Sequence, residues 1–369
     1  MSAASPSHPA HVNPLWVIVI PVAAAVFAVL EIAHVIDPEA LPFQILAAAL
    51  LGGAVFAAVH HAEVIALRIG EPFGSMLLAA AVTVIEVSLI ISIMLASPEG
   101  ATEIARDTVF AALMLVLTGI VGLCLLAGGL RHHEQGFQVK AASGTLSVLG
   151  TLATLALILP NFTVAEAGPH YSRAQLIGVA AVSLCLYLLF LFVQSVRHRD
   201  YFLDANASES EADHARPSTR MSVTSLVLLI VALIAIVLTA EGLSPAVERA
   251  VWAAGLPPEF VGLIIACVVL MPEGVTAFNA ARNNALQRSL NLALGSALAS
   301  IGLSIPAVAI TSIVIGTPLT LGLEPAHIVL LALALYVSTL TLATGRTTVL
   351  QGGVHLVLFA TFLIISAIP

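Results

Sequence analysis

The chain has 369 residues, 59% of them hydrophobic and only 9% charged, with a mean hydropathy of +1.06. Soluble domains carry about 25% charged residues, so an ordinary globular fold is excluded. The net charge of −8 argues against a nucleic-acid partner, and Cys124, Cys185 and Cys267 are too scattered for a disulfide framework or a zinc site.

What remains is an all-α polytopic membrane protein, and the apolar runs predict eleven transmembrane helices. Residues 1–13 hold no Lys or Arg, so they read as a cytoplasmic tail and not as the charged start of a cleaved signal. A first helix is expected over 14–36, with Glu31 and His34 at its outer, interfacial end. Five spans follow within 43–197, near 43–67, 72–96, 107–130, 140–160 and 174–197. The stretch 198–221, rich in Asp, Glu, Ser and Ala, reads as an acidic cytoplasmic linker. Five more spans fill 222–368, near 222–243, 259–281, 288–313, 325–344 and 348–368.

Of the 13 Lys and Arg, only Arg106, Arg173 and Arg249 fall on one side of this arrangement. The bias puts the N-terminus and linker in the cytoplasm and the C-terminus in the periplasm of an inner membrane. It also leaves an acidic outer rim that attracts cations, Glu103, Asp107, Glu259 and Glu324 among its members. A five-helix unit repeated in tandem must insert with opposite topology, so after an extra first helix the chain is expected to hold two inverted repeats.

Five acids fall inside the spans, in chain order Glu31, Glu63, Glu86, Glu241 and Glu273, and no Lys or Arg lies there to offset them. Each costs about 2.5–3.5 kcal/mol at bilayer depth, so each is either protonated or meets a cation. Glu63 ends His60-His61-Ala62-Glu63, a pattern suited to passing protons, though a polar cluster at a helix end explains it equally well. Glu86 lies deep in its span with Thr83 on the same helical face, pairing a hydroxyl with a carboxylate. The plain alternative is a neutral Glu bonded to a neighbouring helix. Arg131-His132-His133-Glu134 reads as a cytoplasmic anchor and not as a metal site. Glu241 occupies the place in the second half that Glu63 has in the first. Glu273 sits between Pro272 and Gly274, where a helix break would free carbonyls for a cation, or where a simple kink would pack. Ser296, Ser300 and Ser304 recur every four residues along a Gly- and Ala-rich helix, as a hydroxyl stripe lining a pathway or as a face for close packing.

Gly70-Glu-Pro-Phe-Gly-Ser75, Ala81-Val-Thr-Val-Ile-Glu86, Arg131-His-His-Glu-Gln135, Met271-Pro-Glu-Gly274 and Leu290 to Ser300 resemble the bacterial Cha type of calcium/proton antiporter. That type belongs to the cation/proton exchanger family of the cation/calcium exchanger superfamily, and the likeness runs from about residue 14 to 368. It implies helices 2–6 and 7–11 as the inverted halves, one central cation-binding Glu in each (Glu86 and Glu273), and assistance from Glu63 and Glu241. It departs from the family's Gly-Asn-Ala before each central Glu, having Val82-Thr83-Val84 and Val269-Leu270-Met271. Calcium takes six to eight oxygens, so Na⁺ or K⁺ exchange stands beside Ca²⁺.

The expected mechanism is competition: a cation binds only ionised carboxylates, so its binding releases protons and protons expel it. No enzymatic reaction and no resident cofactor are expected; the partners are the transported cation, protons, lipid and, as an open case, a second copy of the chain. A channel would use similar acids, but inverted halves favour alternating access. An intramembrane metalloprotease would need His-Glu-x-x-His, which the chain lacks.

Overall fold

The structure, a computed structural model, describes residues 13–70, 73–96, 101–202, 217–316 and 319–368. Twelve helices make up most of it: α1 (Leu15–Ile32), α2 (Leu41–Ile69), α3 (Phe73–Ala96), α4 (Ala101–Met114), α5 (Val121–His132), α6 (Val139–Ala153), α7 (Arg173–Phe192), α8 (Thr219–Ala253), α9 (Glu259–Arg282), α10 (Leu286–Ile315), α11 (Pro325–Leu342) and α12 (Val349–Ala367). Among the described residues, ten helices are long and apolar enough to cross a membrane; α4 and α5 count as one of them, Glu103–His132. Helix α3 has 24 residues, with an apolar run at Ala80–Ile91.

The helix ends follow local chemistry. Ser172 with Gln175, and Thr348 with Gln351, form reciprocal caps at the starts of α7 and α12. Gly70 and Gly316 stop α2 and α10 at φ of +78° and +80°, a backbone region open to glycine at little cost. Helix α8 is the main departure from the expected spans. It has 35 residues, about 52 Å of helix, and runs through Pro245, where 222–243 was expected. Glu241-Gly-Leu-Ser-Pro245 reads as a stop, yet Pro245 withholds only the N–H that the Glu241 carbonyl would accept, and the helix tolerates that loss.

Among the described residues, three π turns interrupt the rods, at Leu115–Ile120, Thr154–Ile158 and Val193–Arg197. The first joins α4 to α5 without breaking the rod. A short antiparallel ribbon pairs β1 (Gln135–Gly136) with β2 (Arg346–Thr347), joining the α5–α6 turn to the α11–α12 turn.

The chain divides into two compact units that cut across the expected sequence halves. The first, residues 1–81 and 205–239, holds α1, α2, the start of α3 and the first part of α8. In it α1 packs on α2, the Asn13 amide donates to the Ser225 hydroxyl (3.3 Å), and Arg68 donates to the Pro217 carbonyl and the Thr219 hydroxyl. The second unit, residues 82–204 and 240–369, contains the best-packed interior, with Ile85, Leu113, Met114, Leu117, Leu149 and Leu290 all nearly inaccessible. Its principal packings are α5 on α12, α4 on α9, α7 on α10 and α9 on α10.

Candidate cation site

Glu86 is only 3% exposed, near the middle of α3, flanked by the buried Ile85, Leu89 and Ile90. Thr83, one turn earlier, is buried on the same face. Helix α10 supplies the partner: the Ser300 hydroxyl donates to Glu86 Oε1 at 2.5 Å, at the short end of hydroxyl–carboxylate bonds. Ser304, one turn on, is close enough to act on the same carboxyl but makes no well-formed hydrogen bond. The Ser296 hydroxyl, one turn back, is also buried without a hydrogen-bond partner. The stripe therefore places Ser300 on Glu86, Ser304 beside the same carboxyl and Ser296 unbonded one turn back, at four-residue spacing along α10. A buried hydroxyl without a partner costs about 1–3 kcal/mol, a cost that an oxygen-seeking cation would offset.

Ser300→Ala is expected to weaken apparent cation affinity about five- to tenfold, with insertion unchanged, because it removes one buried charge-assisted bond. Cation titration of exchange by the purified variant in liposomes checks this. An unchanged affinity would reduce Ser300 to packing.

Glu273 lies on α9, which packs on α10, and both its carboxyl oxygens are buried. The expected helix break at Pro272 and Gly274 does not occur: α9 runs uninterrupted from Glu259 to Arg282. Pro272 denies an N–H only to the Val268 carbonyl, and the next turn is tied by Thr276, whose hydroxyl donates to the Pro272 carbonyl at 2.9 Å. The helical irregularity lies instead on the neighbouring rod, in the π turn Leu115–Ile120, against which α9 packs. A Cβ on Gly274 would sit 3.2 Å from Ile120 Cδ1, so the residue following Glu273 is seated directly on that turn. Thr118 and Gly119 stand out in the sequence of this turn, but i→i+5 bonding leaves no mark in composition.

Glu63 and Glu241 are both exposed on their helices, Glu63 in the first unit and Glu241 in the second. His60 and His61 turn toward α1: His60 Nε2 is 3.4 Å from Asn13 Oδ1, and His61 Nε2 donates to the Val17 carbonyl at 2.8 Å. The acidic rim is partly interior. Arg106 and Asp107 are 4% and 9% exposed, and the Arg106 guanidinium donates to Asp107 (2.7 Å), Glu103 (3.3 Å) and the Gly322 carbonyl (3.4 Å). The adjacent Arg106-Asp107 pair in an apolar stretch was the sequence signal for this burial. At the opposite ends of the rods, His132 donates to the Arg282 carbonyl and Glu134 pairs with Arg346 at 3.6 Å, both anchoring contacts. Among the described residues, no group of three or more His, Cys, Asp or Glu is placed to hold a metal ion.

A buried carboxyl met by serine hydroxyls, inside a bundle of membrane-length helices, is the equipment of a multi-pass ion transporter. The chain belongs to the sodium/calcium exchanger protein family, which it matches over residues 40–196 and 224–368. It is 54% identical over 361 residues to the "Putative ionic transporter y4hA" of Sinorhizobium fredii, covering 98% of both chains. It is 33% identical over 329 residues to the sodium-potassium/proton antiporter ChaA of Escherichia coli, covering 88% of this chain and 89% of that one. The fold matches that of native YfkE with a TM-score of 0.72 at 19% identity, over 96% of this chain and 100% of the other. It also matches that of the H⁺/Ca²⁺ exchanger CAX with a TM-score of 0.72 at 16% identity, over 95% and 88%.

Proposed function

We propose that the protein is a secondary active transporter that moves a cation out of the cytoplasm in exchange for protons, by alternating access across the inner membrane. The carrying observation is Glu86, a carboxyl 3% exposed and bonded to Ser300 of another helix within an apolar interior. Such a group holds either a proton or a cation, and binding one releases the other. Apparent cation affinity therefore rises with pH, since only the ionised carboxyl binds. Glu86 and Glu273 act as the cation ligands, with Thr83, Ser296 and Ser300 supplying hydroxyl oxygens. The N-terminus lies in the cytoplasm and the C-terminus in the periplasm, as the Lys and Arg bias supports. The stretches 43–197 and 222–368 act as inverted repeats joined by the acidic linker 198–221, most of which lies outside the described residues. Residues 1–12 of the expected cytoplasmic tail also lie outside them. No chemical conversion and no resident cofactor enter this cycle.

Calcium is the proposed cation, supported by two buried-oxygen carboxyls on helices that each pack on or bond to α10. Sodium or potassium is the second reading, favoured by the 33% identity to an antiporter named for those ions and by the missing amide ligands. Everted vesicles carrying the protein, given a pH gradient and then Ca²⁺, Na⁺ or K⁺, decide between them: the transported cation alone collapses the gradient. No response to any of the three would overturn the exchange.

Glu63→Gln and Glu241→Gln should leave exchange running at half the wild-type rate or better and shift its pH profile, because exposed acids are replaceable by water as proton carriers. A pH series in the same vesicles checks this. An unmoved profile in both variants would leave them without a part in proton passage.

A further inference from the structure

His355 is completely buried near the start of α12, and its two ring nitrogens are both engaged. Nδ1 lies 2.6 Å from the Leu117 carbonyl, inside the π turn, and Nε2 lies 3.1 Å from the Thr341 hydroxyl on α11. A carbonyl can only accept, so Nδ1 carries the hydrogen; the neutral ring then accepts from Thr341 through Nε2. The two neighbours thus select one tautomer.

The π turn has a reason to need such a partner. Val121 N–H reaches back five residues, to the Val116 carbonyl, so the regular i→i−4 ladder is out of step at this point. The next carbonyl along is Leu117, the one that His355 meets. Two further contacts seat the turn and the start of α5 on the same face of α12: Phe359 lies 3.4 Å from where a Cβ on Gly119 would be, and His355 Cβ lies 3.0 Å from where one on Gly122 would be. The turn also presents Ile120 to Gly274, next to Glu273.

We propose that His355 is a positioning residue for exchange: its Nδ1–H bond to Leu117 holds the π turn, and through Ile120 and Gly274 the π turn sets the place of Glu273. Thr341 acts one step further back, by fixing the tautomer. The proposal rests on the reading of Glu273 as a cation ligand.

The test compares His355→Asn, His355→Gln, His355→Leu and Thr341→Val as purified full-length protein in liposomes. Exchange is measured against cation concentration, and thermal stability on the same samples. Asparagine places an N–H close to the Nδ1 position and keeps the Leu117 bond; glutamine reaches toward Thr341 and loses it; leucine loses both. His355→Leu and His355→Gln should raise the half-saturating cation concentration about tenfold, the loss of one buried bond, while His355→Asn stays within about threefold of wild type. Thr341→Val should shift it about twofold. Rescue by asparagine separates positioning from bulk, since all three replacements disturb the packing. Equal half-saturation in wild type and His355→Leu, or an asparagine variant as poor as leucine, would overturn the proposal. If His355→Leu does not insert, His355→Gln carries the test, and unchanged affinity there overturns it. Glu273→Gln runs alongside. Exchange that survives Glu273→Gln refutes the cation-site reading itself, whereas exchange lost in Glu273→Gln with His355→Leu unaffected refutes only the positioning role.

Discussion

Glu86→Gln and Glu273→Gln are each expected to reduce cation-dependent proton movement to the background of empty vesicles while the protein inserts and purifies normally. Glutamine keeps the size of the side chain and an oxygen for the Ser300 hydroxyl, so the α3–α10 bond at 2.5 Å has a neutral counterpart. What disappears is the capacity to ionise. A neutral amide neither gives up a proton to an arriving cation nor balances its charge inside an apolar bundle, where an uncompensated charge costs several kcal/mol. Both steps of the exchange fail together. Stability should rise slightly at Glu86, because a buried carboxyl has been replaced by a group that never has to be charged there. The check is proton flux at saturating cation, with thermal stability of the same preparation as the control. Substantial flux in either variant would show that a single carboxyl suffices.

Gly352→Ala should be the most damaging conservative change in the second unit. A Cβ at this position would collide with the backbone nitrogen of Leu126 and lie 2.8 Å from its Cα and 3.0 Å from the Gly122 carbonyl. Backbone cannot rotate out of the way as a side chain would, so α12 must lift off α5, its principal partner. Overpacking in a well-filled interior costs typically 1–3 kcal/mol, and here about 3 kcal/mol or more is expected. Gly144→Ala is the matched control, since its Cβ would meet nothing within 4 Å, and it should be neutral or stabilising by up to about 1 kcal/mol. Thermal unfolding in detergent distinguishes the two. Similar midpoints for both variants would mean that α12 has room to adjust.

The spans were legible because lipid demands long apolar runs, and most helices lie within a few residues of the runs that announce them. Glu86 and Ser300 were each legible as exceptions, a deep acid and a hydroxyl in an apolar helix. Their meeting was not, since 214 positions separate them in sequence and no local pattern encodes the pairing. Pro272 misled because proline advertises a break, while the structure shows that one missing donor is absorbed within α9. The irregularity that faces α9, the π turn at Leu115–Ile120, consists of ordinary helix formers and one Thr-Gly pair, and the ring that meets its Leu117 carbonyl, His355, lies across the interface. A lone histidine two residues after the Gly352-Gly353 pair was the available signal, and it carries no meaning until the facing carbonyl is known.

The β1–β2 ribbon constrains how the carrier could cycle. Gln135 pairs with Thr347 and Gly136 with Arg346, so the turns that end α5 and begin α12 are stitched together in fixed register. Register in a ribbon is discrete: a slip by one residue would reverse which side chains face each way, and no partial slip is available. Below the ribbon, Gly352 brings the backbones of α5 and α12 into direct contact, which leaves no layer of side chains to act as a lubricant. The pair therefore has the kinematics of a single beam, clamped at one end and keyed along its length. Whatever sliding opens the site to one side and then the other must be borne by joints outside that beam, and changes in α5 or α12 should be felt as whole-body displacements.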